Sequence, residues 1–171
     1  HDVDLGIRAY SGTIENNIIG AETGNQGTTG IYIAYAGVTF RYNNIGGFST
    51  NVAISGNTPT FSNNNFIGIL NVGTQKNINI STGGYGLHGG ESYSSNQVSV
   101  NMQSNYWGNV SSSDIAASIH DYDDDFSLKG DVDFSNALSS PDPTAPISPP
   151  QNVKMSTSGS GVKLTWTANT E

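Results

Sequence analysis

Asp121, Asp123 and Asp125 stand at alternate positions, the spacing with which a calcium loop begins. Phe126 occupies the place where such a loop needs Gly, and Val132 the place of its bidentate Glu. The EF-hand pattern fails on those two positions. What survives is a looser calcium site from Asp121, Asp124 and Asp125, beside the plainer reading of the run as solvated or capping carboxylates. His88, close to Glu91, offers an acid/base pair; the alternative is an exposed glycine-rich loop from Gly83 to Gly90. His120 beside Asp121 has no serine of recognisable context, so no hydrolase triad is expected. The Gly-rich stretches lack the lysine of a phosphate-binding loop. Tyrosines are the other chemical resource. Tyr10, Tyr32, Tyr35 and Tyr42, with Tyr85 and Tyr93 further on, stack on sugar rings if they face outward and plug the interior if they do not.

These residues sit in a chain of 171 with a formal charge of -8. Such a balance argues against nucleic acid or an anionic membrane surface as partner, since both select a basic face. There is no cysteine, which removes disulfides and thiolate metal sites. Apolar runs are only a few residues long, so no membrane-spanning segment is expected. The charge is unevenly placed. Between Gly6 and Ser113 the only acids are Glu15, Glu22 and Glu91, whereas eight lie from Asp114 to Asp142. The sequence starts on His rather than Met and reads as part of a longer secreted or cell-surface protein, with other domains of the same polypeptide as neighbours.

The elements that must position the chemistry are short strands. Ile31, Ile33 and Tyr35 alternate, then Val38, Phe40 and Tyr42, then Val52 and Ile54, with Ile78 and Ile80 as a later pair. Period-two alternation marks a strand with one buried face. A signature of Asn, a large apolar residue, a free position and Gly begins at Asn17, Asn44, Asn65 and Asn105, allowing Ile45-Gly46-Gly47 as one copy. A period in the low twenties with no long helical segment predicts a solenoid of stacked coils with Asn over Asn at one corner. About five coils at roughly 4.8 Å each would make a rod some 25 Å long. Asp114 is expected to cap a short helical turn at Ile115–Ile119.

The run Asn105-Tyr-Trp-Gly108, then Ile115 to Ile119, Asp121 to Asp125, Gly130, and Val132-Asp-Phe134 before Leu138, resembles the closing segment of right-handed parallel β-helix repeat proteins of the pectin-lyase-like superfamily. The resemblance covers about residues 5 to 140 and departs from the family in having Asn136 where a proline is usual. It implies an all-β, right-handed parallel β-helix with a terminal cap over residues 1–138. A Pro-rich linker over 139–150 follows. Residues 151–171, with Val153 and Val162-Lys-Leu-Thr-Trp166, resemble the start of a fibronectin type III domain, truncated here.

The β-helix resemblance brings an enzymatic alternative. Polysaccharide lyases of this fold use Arg or Lys as base, which points to Arg8, Arg41 and Lys76, at different places relative to the signature asparagines; the hydrolases carry a Gly-His-Gly motif, which Leu87-His88-Gly89 only echoes. No set among Arg41, Lys76, His88 and Glu91 makes a convincing catalytic group. The expectation is a non-catalytic module, a rigid stalk or a glycan-contacting adhesion domain. A lyase or glycoside hydrolase with part of its site elsewhere is the alternative. Polysaccharide or cell-surface glycan is the expected partner, and calcium the only cofactor considered.

Overall fold

A strand turns successive side chains to opposite faces, so each alternation buries one row and leaves the next to solvent. A computed structural model describes residues 5–20, 28–33, 37–55, 59–67, 76–80, 98–108, 110–126, 128, 130–146, 151–159 and 161–167. In it the chain goes round repeatedly, and each round lays its strands beside those of the round before. The first round is β1 (Leu5–Ala9), β2 (Gly12–Glu15) and β3 (Ile18–Gly20). The second is β4 (Thr29–Ile33), β5 (Val38–Arg41) and β6 (Asn44–Gly46), and the third is β7 (Thr50–Ile54), β8 (Thr60–Ser62) and β9 (Asn65–Ile67). The fourth supplies β10 (Lys76–Ile80) and β11 (Val98–Asn101). The fifth holds a short helix, α1 (Ser112–Ala117), then β12 (Ile119–His120) and β13 (Gly130–Asp133).

All pairings among these strands are parallel. The sheets run β1-β4-β7-β10-β12, β2-β5-β8, β3-β6-β9 and β11-β13. The chain is therefore all-β with parallel sheets, as the alternation predicts.

Between the sheets the inward side chains stack in columns. Ile31, Val52, Ile78 and Ile119 are in register and all are buried. Phe40 lies flat on Phe61 with ring centroids 4.8 Å apart, and Phe66 lies on Trp107 at 4.5 Å. Each such side chain gains roughly 1.5–3 kcal/mol from leaving water. A single round has no partner for these side chains, so the core exists only between rounds.

The corner between the second and third strands of each round is polar and repeats more strictly than the core. Asn16, Tyr42, Asn63, Ser104 and Asn136 all have φ between 56° and 57°, the left-handed region. The next residue in four of these rounds is a stacked asparagine: Asn17, Asn43, Asn64 and Asn105. Each of the first three donates its backbone N–H and its side-chain amide to the Oδ1 of the one that follows. The amides of Asn43, Asn64 and Asn105 also donate to the carbonyls of Ile14, Phe40 and Phe61 one round back.

This corrects the expected register. The signature aligns Asn17 with Asn44, Asn65 and Asn105, but the residues that stack on Asn17 are Asn43 and Asn64. The reason is the bend, since the stacked residue is the one after the left-handed position and not the one that best fits the sequence signature. Glycine three places on is accordingly Gly20 and Gly46, which pair with each other. A Cβ at Gly46 would stand 2.1 Å from the Ile67 carbonyl oxygen.

At the far end α1 begins with a reciprocal cap. Ser111 is the N-cap and Asp114 the third helical residue, whose carboxylate accepts the Ser111 N–H. Asp114 was expected as the N-cap itself; the serine's hydroxyl, accepting from the Asp114 N–H, takes that place.

Beyond Leu138, which bridges to Tyr106, the Pro-rich segment stays on the stack as far as Pro146. Asp142 exchanges backbone bonds with the Asn65 side chain. The Asn44 amide donates to the Pro146 carbonyl. β14 (Gln151–Ser158) and β15 (Gly161–Thr167) then form an antiparallel hairpin. Its Val153, Met155, Val162, Leu164 and Trp166 are all exposed, Trp166 at 60%.

Candidate functional site

The parallel register of the five-stranded sheet places one outward residue per round in a column. Arg8 pairs with Tyr32, Tyr32 with Ala53, Ala53 with Asn79, and Asn79 with His120. Their sequence neighbours Ile31, Ile33, Val52, Ile54, Ile78, Ile80 and Ile119 are buried, which fixes the outward direction of the column by alternation. The guanidinium carbon of Arg8 lies 5.4 Å from the ring centroid of Tyr10 and 5.4 Å from that of Tyr32. Two rings beside one cation is an arrangement that holds all three side chains in place. The Tyr32 hydroxyl is 2.5 Å from Ser55 Oγ in the third round, and His120 Nδ1 is 3.2 Å from Asn79 Oδ1.

The five strands of this sheet contain Arg8, Lys76 and His120 and not one Asp or Glu. In a chain of formal charge -8 these strands present aromatic, amide, imidazole and guanidinium groups rather than carboxylates. Tyr10 is 50% exposed. Flat rings beside fixed hydrogen-bonding groups are what a sugar needs, because its C–H face packs on an aromatic ring while its hydroxyls take polar partners.

Of the tyrosines singled out in the sequence, Tyr10 and Tyr32 meet here. Tyr42 does not; it occupies the left-handed corner after β5, with the Arg41 guanidinium 5.9 Å from its ring centroid. Tyr35, Tyr85, Tyr93, His88 and Glu91 lie outside the described residues. Arg41 and Lys76 belong to different sheets. Arg41 makes an ion pair with Glu15 of the previous round, Nε to Oε2 2.6 Å. Lys76 donates from Nζ to the Ala117 carbonyl at 2.6 Å and to that of Ile119 at 3.4 Å, a favourable place for a cation at the end of a helix. Arg8, Ser55, Asn79 and His120 carry no local motif; period-two alternation together with the true round-to-round register would have found all but Ser55.

The acidic run folds into a second cluster. Asp121 is buried; its Oδ1 accepts the Asp123 N–H at 3.1 Å and its Oδ2 the Val132 N–H at 2.8 Å. The N–H groups of Asp124 and Asp125 both point to the Asp121 carbonyl, so these residues form the turn. The carboxylates that converge are those of Asp121, Asp123 and Asp131, with oxygens within 4.8 Å of one another. Among the described residues this trio, rather than the expected Asp121, Asp124 and Asp125, has the spacing to hold a hard divalent cation. Burial raises the Asp121 pKa above its ordinary value, reinforced by the charges of Asp123 and Asp124 and opposed by the backbone bonds. Burial likewise raises that of Asp131, with Asp121, Asp123 and Asp133 adding to it.

No helix among the described residues is long and apolar enough to cross a membrane. Compared with protein-family models, curated proteins and solved structures, the chain matches none of them.

Proposed function

We propose that this chain is a non-catalytic, carbohydrate-contacting module of a secreted or cell-surface protein, built as a right-handed parallel β-helix. The β-helix reading draws support from parallel sheets that each take one strand per round. The reading of the tail as the opening hairpin of a fibronectin-type sandwich draws support from its exposed apolar face. The binding reading rests on one observation: Tyr10, Arg8 and Tyr32 form a braced aromatic patch on the outward face of the five-stranded sheet, in a column completed by Asn79 and His120.

The module would lay a glycan along that column, pack sugar faces on the tyrosines and take hydroxyls with Asn79 and His120. Affinity electrophoresis through gels containing plant and algal polysaccharides, with and without calcium, tests it. At least one polysaccharide is expected to retard the chain, and Tyr32→Ala is expected to restore free mobility. Retardation unaffected by Tyr32→Ala and Tyr10→Ala would remove the patch from consideration. New reducing ends or unsaturated sugars in the same incubations would replace the binding reading with an enzymatic one.

A further inference from the structure

We infer that residues 138–146 are a return strap: an outward row of asparagine amides reads their backbone and carries the chain from the fifth round back to the second. The stack is then a side lobe of the polypeptide, with the incoming and outgoing chain at the same end.

The path is set bond by bond. Leu138 donates its N–H to the Asn105 carbonyl, and its bridge to Tyr106 places it at the fifth round. Four residues later Asp142 is at the third round. Its N–H donates to Asn65 Oδ1 at 2.8 Å, its carbonyl accepts from Asn65 Nδ2 at 3.3 Å, and its carboxylate accepts from Asn63 Nδ2 at 2.7 Å. Four residues further the Pro146 carbonyl accepts from Asn44 in the second round. Asn44 and Asn65 are themselves joined across the rounds, Nδ2 to Oδ1 2.8 Å. They therefore form a second asparagine column, outside the first, whose remaining amide groups face the strap.

The segment is chemically suited to lie there without a neighbouring strand. Pro141, Pro143 and Pro146 have no N–H to satisfy. The N–H groups of Thr144 and Ala145 turn inward to Asp142, one to its Oδ1 and the other to its carbonyl. Ala145 is buried by the contact. A proline-rich spacer in series would leave from Leu138 and project beyond the last round. This one spends its length running back over the stack. Tension between the incoming chain at β1 and the outgoing chain at Pro146 would bypass the third to fifth rounds while the strap holds, and would reach them once it is released.

The chain has no cysteine, so paired spin labels report the path directly. Labels go on Thr13→Cys, exposed in the first round, and on Pro143→Cys, exposed on the strap and donating no bond of its own. The full chain is expected to give one narrow distance distribution, which broadens and lengthens with Asn63→Gly or Asp142→Ala. A control pair, Thr13→Cys with Thr60→Cys two rounds away along one column, should stay near 10 Å, about two strand spacings, in every variant. Asn63→Gly decides if Asp142→Ala disturbs the control, because glycine keeps the left-handed bend while removing the amide. A broad Thr13 to Pro143 distribution in the otherwise unaltered chain, or one left narrow by Asn63→Gly, overturns the strap.

Discussion

Two columns run up the same stack and obey opposite rules. At the corner the side chain is asparagine in four rounds, Asn17, Asn43, Asn64 and Asn105. On the outward face of the five-stranded sheet it is Arg8, Tyr32, Ala53, Asn79 and His120. The corner side chain must satisfy the same backbone groups in every round, so chemistry allows one answer. The outward side chain meets solvent or a ligand, and each round is at liberty to differ. Repetition here marks a structural duty, and variation marks a face left free to carry the proposed contact.

The largest expected effect tests that contrast. Asn64 is fully buried; its Oδ1 takes two bonds from Asn43, and its Nδ2 donates to Phe40, Ser62 and Asn105. Asn64→Ala strands several of these groups away from water, at about 1–3 kcal/mol for each one left unmatched. Urea denaturation is expected to show a loss of about 3–4 kcal/mol, on the scale of one or two such groups after relaxation. Tyr32→Ala, on the outward column, should cost under about 1 kcal/mol, as surface substitutions do, while removing the proposed polysaccharide binding. Equal losses at the two positions would dissolve the distinction between the columns.

The same contrast explains what was legible in the residues. Strands at Ile31–Ile33, Val38–Phe40 and Ile78–Ile80 follow from alternation, because burying one row needs only local sequence. The register between rounds does not follow. Asn43-Asn44 and Asn63-Asn64-Asn65 let the signature slip by one place, and a slip of one moves a strand's side chains to the opposite face. Without the register, Arg8, Tyr32, Asn79 and His120 could not be seen as one surface. The acidic trio was half visible: Asp121 and Asp123 lie in the run, but Asp131 arrives from β13, which is placed by its pairing with β11 and whose Val132 N–H reaches the Asp121 carboxylate. The strap was legible as an extended proline-rich segment and no further, since the outward amides of Asn44 and Asn65 look, in sequence, like those of the corner.

A sharper comparison lies within the corner. Four of its five left-handed positions are Asn or Ser, but one is Tyr42, and a bulky side chain there is strained because Cβ crowds the neighbouring carbonyl. Replacing Tyr42 by Gly and by Ala removes the same ring and the same Arg41 contact. The two variants then differ only in backbone preference, and the glycine variant is expected to be more stable by about 1 kcal/mol. Indistinguishable thermal midpoints would mean that the bend adjusts when the tyrosine leaves.

The smallest effect concerns the acidic cluster, where the outward rule carries a cost. Asp131 sits beside Asp121 and Asp123; burial raises its pKa and their charges add to it. A group that binds its proton more tightly in the folded chain contributes most to stability below its unfolded pKa. That contribution is lost as pH rises through the folded value. At neutral pH the ionised Asp131 is therefore a liability. Asp131→Asn should raise stability there by about 0.5 kcal/mol, the scale of a partly solvated charge contact. The advantage should fade as pH falls through the carboxylate range and the unaltered aspartate takes up its own proton. Paired melting curves from pH 7 to pH 3 give the sign. An advantage that instead grew on acidification would mean that Asp131 acts in the folded chain as a favoured anion, held by donors rather than opposed by its neighbours.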